Sequence, residues 1–517
     1  MSVMEKNNPY IHNLGSLFYS VCSRSKDRAA IVSEDGKEIS FAELNSLSNR
    51  IANHLLAKGL NKSDVVCFFN DKSFHAFASM LACIKCGIIY VNLDHTSPAE
   101  RIKKIVSTCN PQLILNFFGD KVFSDFNLIN SVNVSGNNLE KMVSAQSSHN
   151  IDVSQITGSS PAYIMFTSGS TGFPKGATMT HANVLNFISW GRTEYKITSD
   201  DKLTNVNPVY FDNSVFDFYV SLFNGASLLP FLPDTVKDPK LLVSKINERK
   251  PTIWFSVPSM LIFLLTTKVI SDNDFISLRV ITFGGEGFPK TKLKQLFDLY
   301  KSHARFVNVY GPTECTCICS AHDITENDFI DMTGIPTLGN LTRDFSHLIL
   351  NDENNQPALT GELCLLGSQV GLGYYNDPER TSKSFVQNPM NSSSAEMMYK
   401  TGDLVSLKDD GKLYFVGRKD NQIKHMGYRI ELEEIEAVIN TLPGTRETCV
   451  VYKKETNGLG QIIAYVVSND KGSDILGATR NLLPSYMIPR QVIVLDSLPK
   501  NKNGKIDRVE LTAKALS

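Results

Sequence analysis

The sequence predicts an α/β protein with a large N-terminal lobe of mainly parallel sheets flanked by helices and a small α+β C-terminal lobe. Three observations carry this: a length of 517 residues, an alternation of helical patterns with short apolar runs, and a change of character near Asp420. The length exceeds one ordinary domain. The stretch from Phe41 to Leu60 places apolar residues at helical spacing, with Gly59 where a helix stop is expected. Asp64 to Asn70 reads as a short apolar strand, SMLACIKCG as a helix and IIYVNL as the next strand. The alternation recurs at QLILNF, AYIMFTS, TIWFSV, LRVITFGG, FVNVYG, HLILND and GELCLLG, the pattern of sheets covered by helices. The polar stretch from Ser131 to Ser160 reads as loop. A DDGK turn joins LVSLK to LYFVGR as a hairpin. Beyond it follow a helix in RIELEEIEAVINTL, strands in CVVYKK and QIIAYVVS, another helix and a strand in QVIVLD. The boundary is expected at 419–421, giving lobes 1–419 and 420–517.

Charge narrows the functional classes. Lys plus Arg number 52 and Asp plus Glu 53, a net charge of −1, so no bulk electrostatic field favours nucleic acid or an anionic membrane. No apolar run is long enough for a transmembrane helix, and the N-terminus lacks a secretory h-region. Ten cysteines include a CxxC at Cys83 and Cys86 and an alternating set at Cys315, Cys317 and Cys319. Without a second pair or a histidine cluster they read as buried thiols of a cytoplasmic protein rather than a zinc site.

The strongest local signal runs from Tyr163 to Gly176, where an apolar strand enters a Gly/Ser/Thr loop closed by Pro174, Lys175 and Gly176. Small residues let backbone N–H groups converge on an anion, and Lys175 can neutralise phosphate charge. The spacing is not that of GxxxxGK[ST].

TSGSTGFPKG resembles the phosphate-loop signature of acyl-adenylate-forming enzymes. The resemblance continues through Tyr90-Val-Asn-Leu-Asp, Phe211-Asp-Asn-Ser-Val215 and Asn308-Val-Tyr-Gly-Pro-Thr-Glu314. Gly361-Glu-Leu, Gly371-Leu-Gly-Tyr-Tyr375, Tyr399-Lys-Thr-Gly-Asp403, Gly417-Arg-Lys-Asp420, Gly427-Tyr-Arg-Ile-Glu431 and Asn503-Gly-Lys-Ile-Asp507 extend it. The branch it is most similar to is the amino-acid-activating adenylation domains of nonribosomal peptide synthetases, here free-standing. That resemblance implies two half-reactions: carboxylate plus ATP gives acyl-adenylate and pyrophosphate, then a thiol takes the acyl group and releases AMP. Charge neutralisation and positioning dominate such chemistry.

The resemblance also implies roles. Thr167, Ser168, Gly169, Ser170, Thr171, Gly172 and Lys175 are expected around the β- and γ-phosphates of ATP. Gly284 and Gly285 are expected to pack on adenine, with Asn308, Val309, Tyr310, Gly311 and Pro312 along the base. Thr313 is expected to reach the α-phosphate and Glu314 to hold Mg²⁺, a cation that favours carboxylate and phosphate oxygens. Asp403 is expected to accept from the ribose hydroxyls, assisted by Arg418, and Tyr414 is expected among the ATP-binding residues. Lys505 is the expected catalytic lysine, bridging substrate carboxylate and α-phosphate; Lys500 and Lys502 are its rivals. Asp420 matches the hinge about which the small lobe turns, and His425, Met426 and Gly427 are expected to border a pantetheine channel.

The resemblance implies that Asp212 pairs with a substrate α-ammonium, since amino-acid-activating relatives carry an Asp at this position, and a buried carboxylate without a cation would be costly. By the same resemblance Phe211, Asn213, Phe216, Phe255, Ile281, Phe283, Val309, Cys317 and Ile318 complete a pocket, with Phe283 taking up volume. The expected substrate is a small or medium neutral amino acid, free in solution. The expected acceptor is a 4′-phosphopantetheine carrier protein supplied separately, since no carrier serine motif follows Asp507. A D-alanine:carrier-protein ligase is a close variant. An acyl- or aryl-CoA ligase is the alternative that Asp212 opposes, and a non-catalytic binding protein is the one that the complete set of motifs opposes.

Overall fold

The apolar runs preceding Asp420 pair into three sheets, seen in a computed structural model that describes residues 11–119, 130–169, 172–351, 356–454, 460–501 and 506–516. One sheet has seven strands, in the order Gly373–Tyr374, Lys175–Thr180, Pro161–Thr167, Ile89–Asn92, Val65–Phe69, Leu113–Asn116 and Ser131–Asn133. Five of them, from Pro161–Thr167 to Ser131–Asn133, run parallel. Val65–Phe69 is buried at every position, as a strand covered on both faces requires. The second sheet has nine strands, with Arg305–Tyr310, Val280–Gly284, Ile253–Ser256, Lys202–Asn205, Ser227–Pro230 and Ala29–Val32 parallel at its centre and antiparallel strands at both edges.

One core cluster holds Phe68, Tyr90 and Tyr163 of the first sheet together with Leu203, Ile253 and Val307 of the second. The main core therefore lies where the two sheets face each other. The helix Phe41–Ala57 starts on a capping box of Ser40 and Glu43. Phe74–Cys86 starts on Ser73 and stops at Gly87 in a left-handed conformation.

Two expectations need correction. HLILND and GELCLLG do not continue the parallel series: Phe345–Leu350 and Thr360–Gly367 pair antiparallel in a third sheet of five strands. Only the nine residues 351–359 separate them, too few for a parallel crossover. The stretch 131–160 is also not all loop. It holds the strand Ser131–Asn133 and the helix Asn138–Val143, which buries Leu139 and Val143.

After Arg418 come a hairpin of Gln422–His425 with Tyr428–Glu431, the helix Leu432–Ile439, and a three-stranded sheet of Thr445–Lys454, Gly460–Ser468 and Gln491–Val494. Two core clusters in this part draw only on residues from 423 onward.

Candidate active site

The ends of the strands converge on one cleft. Pro161–Thr167 runs into the glycine-rich loop, and Arg305–Tyr310 into Gly311, Pro312 and the short turn Thr313–Cys315. Ligands of parallel sheets bind outside such carboxyl ends. Of the residues predicted from sequence, Thr167, Ser168, Phe211, Asp212, Asn213, Phe255, Gly285, Val309, Tyr310, Gly311, Pro312, Thr313, Cys317, Ile318, Asp403 and Arg418 line the cleft.

One wall is a pinned carboxylate. The Tyr310 hydroxyl donates to Asp403 Oδ2 at 2.6 Å, and Arg418 Nη1 donates to Asp403 Oδ1 at 2.6 Å. Arg418 also binds both oxygens of Asp420, each at 2.6 Å. The expected ribose acceptor and the expected hinge residue thus share one guanidinium, a bidentate arrangement that fixes geometry as well as charge.

Opposite lies Asp212. The short helix Asn213–Val215 and a π-helical turn Phe216–Val220 follow it; such turns recur at functional sites. Its side chain makes no capping hydrogen bond and instead accepts from the Thr313 hydroxyl at 2.6 Å. Burial pushes the Asp212 carboxyl above its usual range, and the Thr313 hydrogen bond partly offsets this. Thr316 and Cys317 hold positive φ of 58° and 75°, costly for non-glycine residues. The Thr316 hydroxyl donates to the Gln369 carbonyl at 2.8 Å, which helps hold the turn that brings Cys317 to the wall.

Several predicted residues lie elsewhere. Phe216, Ile281 and Phe283 are core side chains off the cleft wall, and Phe283 packs edge-on against Phe288. Strand alternation turns Ile281 and Phe283 to the same side, into the second core cluster. Gly284 is off the lining as well, while Gly285 is on it. Asn308 sits off the lining and donates to the Thr337 carbonyl at 2.8 Å. Tyr414 is off the lining and donates to Asp410 at 2.8 Å beside the DDGK turn. Ser170, Thr171 and Lys505 lie outside the described residues, as does Lys502. Lys500 is ion-paired with Glu447 at 2.7 Å.

The C-terminal hairpin closes the cleft, and here the structure adds Gln422, Lys424 and Arg429, to which sequence reasoning gave no role, beside Gly427, which it had placed at a pantetheine channel. Gln422, Lys424, Gly427 and Arg429 line the cavity, while Ile423 and Ile430 point into the small core. This is plain period-2 alternation, legible in QIKH and YRIE once the segment is known to be a hairpin. Lys424 Nζ lies 5.6 Å from the Tyr310 ring centroid, and burial lowers its pKa. Gly427, with φ of 80°, donates its N–H to Glu286 at 3.2 Å and rests on Val257. Met426 is exposed and His425 contacts the Tyr452 hydroxyl at 3.2 Å. Tyr428 stacks on Tyr486 at 3.7 Å and meets Phe211 edge-on.

Glu314, fully buried, accepts from the Tyr374 hydroxyl at 2.8 Å and from Arg429 Nη1 at 2.9 and 2.7 Å. Lys175 Nζ stands 3.9 Å from Glu314 and 3.6 Å from Glu431. Burial opposes the charge of Glu314, yet Arg429 and Lys175 hold its carboxyl down at about 2. At the phosphate loop the Thr167 hydroxyl is buried without a hydrogen-bond partner among the described residues. Gly169 comes so close to the Phe173 carbonyl that a Cβ would sit 2.1 Å from its oxygen.

A family model described as "AMP-binding enzyme" matches residues 18–375, and one described as "AMP-binding enzyme C-terminal domain" matches residues 434–505. The dimodular nonribosomal peptide synthase of Bacillus subtilis (strain 168) is 31% identical over 513 residues, 97% of this chain but 21% of that protein. The chain thus spans about a fifth of that multidomain relative. The D-alanine--D-alanyl carrier protein ligase of Bacillus licheniformis is 31% identical over 498 residues, 94% of this chain and 96% of that one. Among solved structures, the Vibrio cholerae adenylation domain AlmE in complex with glycyl-adenosine-5'-phosphate superposes with a TM-score of 0.83 at 22% identity, covering 98% of each chain. An artificially fused adenylation–PCP di-domain from Klebsiella oxytoca gives 0.81 at 22% identity, covering 94% of each. The chain belongs to the family of AMP-binding enzymes.

Proposed function

We propose that the protein uses ATP and Mg²⁺ to convert a small or medium neutral amino acid into an aminoacyl-AMP, then passes the aminoacyl group to the phosphopantetheine thiol of a separate carrier protein. The observation that carries this reading is the placement of Asp212, 2.6 Å from the Thr313 hydroxyl, across one cleft from the Tyr310–Asp403–Arg418 cluster. An ammonium on Asp212 sets the substrate carboxylate beside Thr313. Its oxygen attacks the α-phosphorus and pyrophosphate leaves; the thiolate then attacks the acyl carbon and AMP leaves.

The residues present fit a metal-bound triphosphate. Thr167 offers a buried hydroxyl with no hydrogen-bond partner among the described residues, and Glu314 offers a charged carboxylate already facing cations. Glu314 would hold Mg²⁺, which supplies charge neutralisation at the phosphates when bound. Lys175 adds positive charge beside Glu314. Asp403 and Arg418 orient the nucleoside, and Lys505, on the mobile lobe 420–517 that turns about Asp420, supplies the catalytic ammonium to the lobe 1–419. Apolar Phe255, Val309 and Ile318 around Asn213 support a compact neutral side chain. A cytoplasmic location is supported by ten cysteines that are all buried free thiols, and among the described residues no helix is long and apolar enough to cross a membrane.

D-Alanine is the second reading, favoured by the D-alanine--D-alanyl carrier protein ligase, which matches over nearly the whole length of both chains. Amino-acid-dependent ATP–pyrophosphate exchange across L-amino acids, D-alanine, fatty acids and aryl acids tests both. Exchange with one compact amino acid is the expected result, and exchange only with acids lacking an amino group overturns the proposal.

A further inference from the structure

A buried polar network lies behind the Asp212 end of the cleft, and at its centre is a carboxyl group with no part in the reaction proposed above. Asp217 sits in the π-helical turn Phe216–Val220, five residues after Asp212, and none of its surface is exposed. Its Oδ2 accepts from Asn205 Nδ2 at 2.9 Å and from Asn207 Nδ2 at 3.0 Å. Asn207 Nδ2 also donates to the carbonyl of Phe255, a cleft residue, at 2.9 Å. Asn205 ends the strand Lys202–Asn205, and Phe255 lies in the neighbouring strand Ile253–Ser256. Asp217 thus ties the turn behind Asp212 to the strand that carries the Phe255 wall. Two oxygens of this network have no hydrogen-bond partner among the described residues, Asp217 Oδ1 and Asn205 Oδ1. If Asp217 is ionised, both are buried acceptors without a donor, a costly arrangement. One proton on Asp217 Oδ1 turns the first into a donor, and Asn205 Oδ1 is the acceptor that lacks one. Lys72, the cation that faces Asp217, is itself buried and spends its ammonium elsewhere: Nζ donates to the Asn205 carbonyl at 2.8 Å and to the Phe231 carbonyl at 2.9 Å. The Cys317 thiol also faces Asp217, and burial pushes it well up, so it stays neutral. Burial likewise pushes the Asp217 carboxyl up to about 7, an effect that the two amides and Lys72 offset only in part.

We propose that Asp217 is a positioning residue that works as a neutral carboxylic acid: its proton completes the network that holds the turn behind Asp212 and the Phe255 wall in the form that receives an amino acid, and its ionisation loosens both. The inference rests on the amino-acid reading above and adds a residue that touches no substrate atom. The sign is distinctive. Asp212 suits an ammonium better once it is ionised, so its own titration improves amino-acid binding as pH rises, whereas ionisation of Asp217 weakens it. Stability moves the same way: the folded carboxyl holds its proton more tightly than the unfolded one, so its contribution is full below about pH 4 and is lost as pH rises through about 7.

Infrared difference spectra of the full chain, with aspartate carboxyls isotopically labelled, read this proton directly. The expected result is a carboxylic-acid C=O band that fades with a midpoint of about 7 and is missing from Asp217→Asn. A spectrum without that band overturns the proposal. Hydrogen exchange, corrected for its intrinsic pH dependence, reads the turn. Amides of residues 213–221 in the wild type are expected to lose about tenfold in protection between about pH 6 and about pH 8. In Asp217→Asn, whose amide donates where the acid did and which keeps Lys72, they are expected to stay protected. Protection that is constant in the wild type, or lost equally in Asp217→Asn, overturns the proposal. Neither measurement involves an amino acid, so an ATP–pyrophosphate exchange panel in which no amino acid is activated would count against the substrate reading while these two still decide the role of Asp217. With the amino acid that the panel identifies, KM is expected to rise about tenfold over the same pH range with kcat within about twofold, and to stay level in Asp217→Asn. A wild-type KM that stays level or falls contradicts the positioning role.

Discussion

Replacing Gly427 by alanine sets a methyl carbon 2.5 Å from Val257 Cγ1 and 3.0 Å from its Cγ2. Gly427 also holds φ of 80°, a region that costs an L-residue about 1–2 kcal/mol. Crowding a methyl into packed surroundings adds about 1–3 kcal/mol. Together these disfavour the lobe arrangement described here by about 2–5 kcal/mol, or about 30- to 4,000-fold in its population. The penalty applies only where the hairpin rests on Val257. Amino-acid-dependent pyrophosphate exchange is therefore expected to stay within about twofold of wild type, while single-turnover transfer of preformed aminoacyl-AMP to a phosphopantetheine thiol falls by at least about thirtyfold. We assign the arrangement in which the hairpin rests on Val257 to the thiol-transfer step; equal loss of both steps, or undiminished transfer, refutes that assignment.

Asp212→Asn is expected to lower kcat/KM for the amino acid by the equivalent of about 2–5 kcal/mol, since it removes one partner of a desolvated ion pair, with AMP affinity unchanged by calorimetry. Asp403→Asn is expected to weaken AMP binding about 10- to 150-fold, the loss of a charged acceptor, again read by calorimetry. Lys505→Ala is expected to slow adenylate formation about 10²- to 10³-fold in exchange assays, with an unaltered unfolding transition. His181 is buried, its Nδ1 accepts the Leu14 N–H at 3.1 Å, and burial lowers its pKa to about 3. Between pH 6.5 and 3 the unfolded chain binds a proton that the folded chain does not, so this group makes stability fall as pH falls through that window. Denaturant titrations of His181→Gln are expected to show a pH slope shallower by about 1.4 kcal/mol per pH unit.

Most of this site could be read before any coordinates. Thr167, Ser168, Tyr310, Thr313, Asp403 and Arg418 sit in motifs quoted from the sequence, and the structure places these six on one cleft. What the sequence hid has two physical origins. Side-chain direction on a strand depends on which face meets which core, so Phe283 could be taken for pocket wall although it packs on Phe288. Contacts across hundreds of residues leave no local trace: Arg429 reaches Glu314 and Glu434 reaches Gly169 only because one lobe rests on the other. The antiparallel sheet of Phe345–Leu350 and Thr360–Gly367 was obscured for a simpler reason, since a short apolar run looks alike in parallel and antiparallel surroundings.

The proposed reaction turns on Asp212, the carboxylate that selects an amino acid for transfer of AMP. Incubating the purified chain with ATP, Mg²⁺, labelled pyrophosphate and each candidate acid in turn measures this directly. Label entering ATP with one compact neutral amino acid, and lost in Asp212→Asn, is the result predicted; label entering with acids that have no amino group, at the same rate in both proteins, would contradict it.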